Sequence, residues 1–136
     1  MGALTRTALA IDTDLLARFE KWMAEHGYTN RSEAVRDLIR SALIEQEWSR
    51  PQARVIATLS IVYDHERRDL AQHLTRLQHS EHRAILCSQH VHLDAHTCLE
   101  VIILQGRAAQ LRRTCDAIIA TAGVKAGKLT LLSASV

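Results

Sequence analysis

The first fifty residues combine apolar and polar positions in two different periods. Apolar or β-branched residues alternate with other types over Thr5–Ile11, which is the period of a β-strand. Apolar side chains then recur at helical spacing over Leu15–Met23 and again over Ala34–Leu43. Gly27 can take the left-handed conformation that ends a helix, and Asn30 can cap the next one. The pattern therefore predicts one strand followed by two helices.

A unit of this kind needs a second copy of itself. About 45 residues are too few to bury a core in a monomer. The single strand also leaves its backbone N–H and C=O groups without partners. We therefore expect two copies to pair their strands antiparallel and to interlock their helices.

Pro51 is the only proline and follows a polar stretch, so it marks the predicted boundary between domains 1–50 and 51–136. After it, the pattern predicts a strand over Arg54–Tyr63, a helix over Asp64–His79, strands over Ala84–Leu93 and Cys98–Gln105, a helix over Gly106–Thr121 and a short strand over Leu129–Leu132. This β-α-β-β-α-β order predicts a ferredoxin-like sandwich, with helices on one face of an antiparallel sheet. The predicted fold class is α+β.

Composition narrows the class of protein. Apolar residues make up 47% of the 136 residues, and the formal net charge is only +2. No apolar run reaches the roughly 18 residues of a membrane span, so no membrane partner is expected. Three widely spaced cysteines do not form a disulfide framework, which favours the cytoplasm. No catalytic motif is found, and we expect a protein that is not an enzyme.

Histidine is the anomaly, since seven of the eight histidines lie between His65 and His96. His90 and His92 share one face of a predicted strand, and Cys98 returns on the next strand. Two imidazoles and a thiolate suit Ni(II), Cu(II), Zn(II) or Co(II), whereas Mg²⁺ and Ca²⁺ prefer oxygen ligands. The alternative is an ordinary, partly exposed hairpin.

The other histidines and cysteines have plainer interpretations. We expect Cys87, on the opposite strand face from the two histidines, and Cys115, in a helix, to be small buried apolar residues. The histidines expected to be surface or capping residues are His26, His65, His73, His82 and His96.

Candidate DNA contacts lie in the first domain and at one later helix start. In a paired ribbon Arg6 would project outward beside Ala8 and Ala10, and a two-stranded ribbon fits the major groove. Solvated side chains are the alternative. The remaining candidates, at the start of the second helix and of the helix after Tyr63, are Asn30, Arg31, Ser32, Arg36, Arg67 and Arg68.

Several segments together resemble a known family across almost the whole chain. Tyr28–Asp37 resembles a ribbon-helix-helix DNA-binding domain. The segments Tyr63–Leu70, Leu77–His79 and His90–Glu100 resemble the nickel-responsive regulators of the NikR family. The resemblance implies a homotetramer, a dimer of dimers, in which four ACT-like (ferredoxin-like) metal-binding domains carry two DNA-binding dimers.

The resemblance also implies a set of site residues. One Ni(II) per subunit would be bound by His90, His92, Cys98 and the partner subunit's His79, a donor set that suits square-planar Ni(II). Tyr63, Gln78 and Glu100 would support these ligands. Glu33 and Asp37 would hold a second cation, K⁺ or similar, between the domains.

One departure concerns the DNA-reading strand. The family usually presents an arginine and two threonines there, and this chain has Arg6, Ala8 and Ala10. Alanine cannot hydrogen-bond a base edge, so the operator sequence is expected to differ. The sequence predicts a nickel-dependent repressor of transcription that binds double-stranded DNA at a palindromic operator. The alternatives are a regulator for cobalt, copper or zinc, one with a different operator, or a metal-binding protein that does not bind DNA.

Overall fold

The computed structural model describes residues 3–135, with the side chain of Arg68 outside the description. The chain divides into two compact units, one up to Arg40 and one from Ser41 onwards. The division falls within a helix, and the domain boundary after residue 50 stays a prediction. None of the helices in residues 3–135 combines the length and apolar character needed to cross a membrane.

The first unit contains helix α1 (Thr13–Glu25) and the first part of helix α2 (Arg31–Trp48). Asp12 caps α1 by accepting a hydrogen bond from the backbone N–H of Leu15 at 2.9 Å. Gly27, at φ 75°, follows the end of α1 in the left-handed conformation that glycine favours. Both predicted helices are therefore present.

The strand predicted over Thr5–Ile11 does not form in the single chain, where residues 3–12 have no regular structure and are exposed. A strand needs a neighbour for its backbone hydrogen bonds, and one copy of this unit provides none. Large apolar side chains of the same unit are also exposed, among them Leu9, Leu15, Leu38 and Ile39. The ribbon with a second copy stays a prediction.

The second unit confirms the predicted order of elements. It consists of β1 (Arg54–Asp64), α3 (Arg68–Ser80), β2 (Ile85–His92), β3 (Thr97–Arg107), α4 (Ala108–Ile119) and β4 (Val124–Leu132), preceded by the last turns of α2. The four strands form one antiparallel sheet in the order β2-β3-β1-β4. This is an α+β fold of the predicted ferredoxin-like type.

The core lies on one face of this sheet. Alternate residues of β1 and β3 point to it, including Leu59, Ile61 and Ile102, all 0% exposed. Leu74 of α3 and Leu111 of α4 cover them.

The structure corrects the predicted position of Cys87, which is exposed rather than buried. Strand alternation identified correctly that Cys87 and His90 occupy opposite faces. The helices, however, cover the face of His90, so Cys87 lies on the uncovered face of an edge strand. Cys115 is buried, as predicted.

Two element boundaries differ from the predictions by at least four residues. β4 begins at Val124 rather than Leu129, because pairing with β1 recruits a segment with little apolar alternation. α3 begins at Arg68 rather than Asp64, because β1 extends to Asp64 and its carboxylate accepts a hydrogen bond from the Glu66 N–H at 3.0 Å in a turn.

Candidate metal centre

A tight turn joins β2 to β3 and sets the geometry of the candidate centre. The carboxylate of Asp94 accepts hydrogen bonds from the backbone N–H groups of His96 and Thr97, each at 2.8 Å. The backbone N–H of Leu93 donates to the carbonyl of Thr97 at 2.8 Å. Aspartate is frequent in turns because its carboxylate can accept hydrogen bonds from nearby backbone N–H groups in this way. These bonds also lower the pKa of Asp94.

The hairpin brings three predicted ligands together. His92 pairs with Cys98, and His90 pairs with Glu100, so all four side chains share one face. The Cys98 Sγ atom lies 3.3 Å from His90 Nε2 and 3.4 Å from His92 Nδ1. Donor atoms at this spacing can reach one ion with bonds of about 2.0–2.3 Å. The donor set of two imidazoles and one thiol fits a borderline transition-metal ion.

Cys98 is the buried member of this group, at 0% exposure, whereas His90 and His92 are exposed. Burial, followed by the negative charges of Glu100 and Asp94, raises the pKa of the Cys98 thiol. Since the metal ligand is the thiolate, an arriving ion must displace a proton.

A hydrogen-bonded network supports the His90 ring. The Tyr63 hydroxyl donates to Glu100 Oε2 at 3.1 Å, and Gln78 Nε2 donates to Glu100 Oε1 at 2.6 Å. The Tyr63 oxygen also lies 3.3 Å from His90 Nδ1. Because the Tyr63 proton points to Glu100, His90 Nδ1 must be the donor in that contact. This tautomer leaves His90 Nε2 unprotonated and facing Cys98, as a metal ligand requires.

Tyr63 remains protonated at neutral pH, because burial and the charge of Glu100 raise its pKa. Glu100 is buried, at 6% exposure, and both of its oxygens have partners. The predicted supporting residues Tyr63, Gln78 and Glu100 therefore lie together beside the hairpin. Their effect on a bound metal stays a prediction.

His65 belongs to the cluster, which corrects the prediction that it is a surface or capping residue. The ligand atoms of His65, His92 and Cys98 all lie within 4.8 Å of one another. The rings of His65 and His92 meet edge to face, with centroids 4.8 Å apart. His65 directly follows β1 and lies two residues after Tyr63. Extending the alternation of β1 by one step would have placed it on this face.

His79 is exposed on the last turn of α3. Within residues 3–135 of one chain, no hydrogen bond joins its ring to the cluster. The resemblance assigns it to the site of a neighbouring subunit, and that role stays a prediction.

The acidic pair predicted to hold a second cation lies on α2. Asp37 accepts hydrogen bonds from the Tyr28 hydroxyl at 2.9 Å and from Arg40 at 2.8 Å, and these bonds lower its pKa. Glu33 pairs with Arg36 at 3.8 Å. Both carboxylates therefore already have partners within α2 and the loop before it.

The candidate DNA contacts lie in three places, and the structure tests none of them. Arg6, Ala8 and Ala10 belong to the exposed N-terminal segment. Asn30 caps α2 by accepting from the Ser32 N–H at 2.8 Å, and Arg31 pairs with Glu20. Arg36 is part of the α2 ion pair described above. Arg67 is exposed at the start of α3, and the side chain of Arg68 lies outside the described residues.

Comparison with known proteins places this geometry in a family. Residues 56–132 match the model of the NikR C-terminal nickel-binding domain. A protein of Solibacter usitatus named a nickel-responsive regulator is 49% identical over 131 residues, covering 96% of this chain and 94% of the relative. A similarly named protein of Nitratidesulfovibrio vulgaris is 48% identical and covers 96% of this chain and 94% of the relative. One of Trichlorobacter lovleyi is 44% identical and covers 99% of this chain and 97% of the relative.

A solved structure shares the fold. An uncharacterized protein of Thermotoga maritima aligns with a TM-score of 0.53 at 16% identity, over 59% of this chain and 99% of the other.

The matched domain and the named relatives identify the class of protein, a nickel-responsive regulator with an α+β nickel-binding domain. The chain belongs to the NikR family of nickel-responsive regulators.

Proposed function

We propose that this chain is a cytoplasmic, nickel-dependent repressor of transcription that acts as a homotetramer on a palindromic DNA operator. The observation that carries the proposal is the approach of His90 and His92 to Cys98 within 3.4 Å, in a chain of the nickel-responsive family. Each subunit binds one Ni(II) through these residues and the partner subunit's His79. Four such donors suit the square-planar geometry of Ni(II).

The mechanism couples metal binding to DNA binding through a population shift. When bound, nickel would be held by the hairpin of one subunit and the α3 end of another, and would supply a link between the two. Cys98 would lose its proton to solvent, Tyr63, itself bonded to Glu100, would orient the His90 ring, and the partner subunit's His79 would complete the donor set. Binding favours the arrangement of subunits in which two ribbons address one operator.

DNA recognition rests on the first domain. Paired N-terminal segments place Arg6, Ala8 and Ala10 in the major groove, where arginine reads guanine and alanine contacts a thymine methyl group. The residues at the start of α2, Asn30, Arg31, Ser32 and Arg36, contact phosphates, with Arg67 and Arg68 as further contacts. Glu33 and Asp37 exchange their present partners for a second cation such as K⁺.

A direct test compares operator binding with and without nickel. The wild-type chain is expected to select enriched sites from genomic DNA fragments and to retard them on a gel only with Ni(II). Cys98→Ala is expected to abolish the nickel effect, while the matched control Cys87→Ala keeps it, because Cys87 is exposed and outside the cluster. Equal affinity with and without nickel would refute the repressor. No enriched fragment in either state would favour a metal-binding protein that does not bind DNA.

A second candidate metal is zinc, which the grouping of His65, His92 and Cys98 within 4.8 Å favours. Three such ligands and a water molecule would make a tetrahedral site within a single subunit. His65→Ala is expected to weaken Zn(II) binding by at least about 100-fold, because the loss of a ligand costs more than the loss of a residue that supports one, and to leave Ni(II) binding unchanged. The reverse result would make His65 part of the nickel site.

A further inference from the structure

The end of α2 is fastened to the end of β4 by a group of contacts, the C-terminal clip, formed by Glu47, Trp48, Leu132, Ser133 and Ser135. The indole N–H of Trp48 donates a hydrogen bond to the carbonyl of Leu132 at 3.1 Å. Trp48 is 2% exposed and belongs to the core of the second unit. The aromatic ring therefore holds the last turn of α2 against the sheet domain.

Charged and hydroxyl groups complete the clip. Ser135 donates from its hydroxyl to Glu47 Oε1 at 2.5 Å, and its backbone N–H donates to Ser133 Oγ at 3.1 Å. The hydroxyls of the two serines lie 2.8 Å apart. The other carboxylate oxygen, Glu47 Oε2, is buried without a partner within residues 3–135. Because the Ser135 proton points to Glu47, the Ser133 hydroxyl is the donor in the contact between the two serines, so the hydrogen bonds of the clip involve both.

The clip and the candidate metal centre lie at opposite ends of β1. Leu132 pairs with Ile56 near the start of β1, whereas Tyr63 near its end pairs with Cys98. Seven residue steps along β1, from Ile56 to Tyr63, separate the two positions by about 23 Å. A continuous ladder of backbone hydrogen bonds between β1 and β4 joins them, apart from a register shift between Val62 and Tyr63.

We propose that Trp48 and Glu47 are positioning residues, through which the end of α2 follows the metal-bound state of the sheet. The inference rests on the proposed function, because α2 continues into the DNA-binding unit. Metal binding restrains Tyr63 and its strand, the strand pair carries the restraint to Leu132, and the clip transfers it to the last turn of α2. A chain without the clip binds nickel normally but loses the gain in DNA affinity.

The test uses Trp48→Phe, which keeps an aromatic ring and loses the N–H donor, and Ser135→Ala, which removes the partner of Glu47. Ser49→Ala is the matched control, since Ser49 Oγ bonds to the Gln46 carbonyl of its own helix and lies outside the clip. Nickel affinity is measured by absorption titration, and operator affinity is measured with and without Ni(II).

We expect both clip variants to keep a nickel affinity within about twofold of the parent and to lose at least about fivefold of the nickel-dependent gain in operator affinity, as the loss of one hydrogen bond predicts. The control Ser49→Ala keeps the full gain. A parental gain in both clip variants would overturn the proposal. Ser135→Ala alone decides the question if Trp48→Phe does not fold.

Hydrogen exchange separates this inference from the proposed function. In the parent chain, Ni(II) is expected to slow exchange of the backbone amides of Glu47 and Trp48, and in Ser135→Ala it does not. If the parent shows this protection but no nickel-dependent DNA binding, the repressor is wrong and the clip stands. If nickel leaves exchange at the α2 end unchanged in the parent, the clip proposal is wrong whatever the DNA result.

Discussion

The affinity for Ni(II) is expected to rise steeply with pH, because Cys98 must lose a proton to bind. Burial and the charges of Glu100 and Asp94 raise its pKa above the ordinary value of 9.0. At pH 7 the neutral thiol therefore predominates. Each nickel ion displaces that proton, so the association constant gains about tenfold, or about 1.4 kcal/mol, per pH unit between pH 7 and 9.

The measurement is a competition titration against a chelator whose own pH dependence is known, followed through the thiolate-to-nickel absorption band at pH 7, 8 and 9. Cys98→Ala is expected to lose both the thiolate-to-nickel band and the tenfold gain in association constant per pH unit. Cys87→Ala should retain both, because the exposed Cys87 thiol lies outside the cluster. An affinity that stays flat across this range in the parent chain would refute the assignment of Cys98 as a ligand that binds from its protonated state.

Three further results are expected. Tyr63→Phe removes the hydroxyl that donates to Glu100 at 3.1 Å and that orients the His90 ring. Titration should therefore show about 10–100-fold weaker nickel binding, with the thiolate-to-nickel absorption band retained. Gly127→Ala places a Cβ 2.6 Å from Ile119 Cγ1, so urea unfolding should show a free energy of unfolding lower by about 1–3 kcal/mol. The double variant with Ile119→Ala should lose less free energy of unfolding than the sum of the two single variants, because the smaller side chain removes the clash. Burial raises the pKa of Cys115 to about 11 from 9.0. The neutral thiol is favoured in the folded state, so the free energy of unfolding should fall by up to about 3 kcal/mol as pH rises from 9 to 11, and Cys115→Ala should flatten that fall.

Local alternation predicted the part of the site that one hairpin contains. His90, His92 and Cys98 lie within nine residues of sequence, and their relative positions follow from side-chain alternation and one turn. The same rule placed Cys87 on the opposite face but could not tell which face the helices cover. His65 was missed because it follows another strand, and its approach to the hairpin depends on the pairing of β1 with β3.

Contacts between segments far apart in the chain could not be predicted from the sequence. Trp48 and Leu132 are 84 residues apart, and neither residue type signals the other. The beginning of β4 could not be predicted, because Val124–Lys128 lacks clear apolar alternation and forms a strand only by pairing with β1. The N-terminal strand was predicted from its period, but forming it requires a second copy of the chain, which the structure of one chain does not provide.

The placement of the cluster on a single short hairpin has a consequence for the life of the newly made chain. Hairpins form in about 1–10 μs, long before subunits can meet by diffusion. Each newly made chain therefore carries three candidate ligands, His90, His92 and Cys98, on one hairpin. The turn at Asp94 already holds the two strands together, so metal binding does not bear the entropic cost of closing that loop. Under the proposed function, an ion could be captured by one subunit before assembly and would gain its fourth donor, the partner subunit's His79, only when two subunits meet. An ion that prefers four coplanar donors would then be held more tightly than one that prefers another geometry.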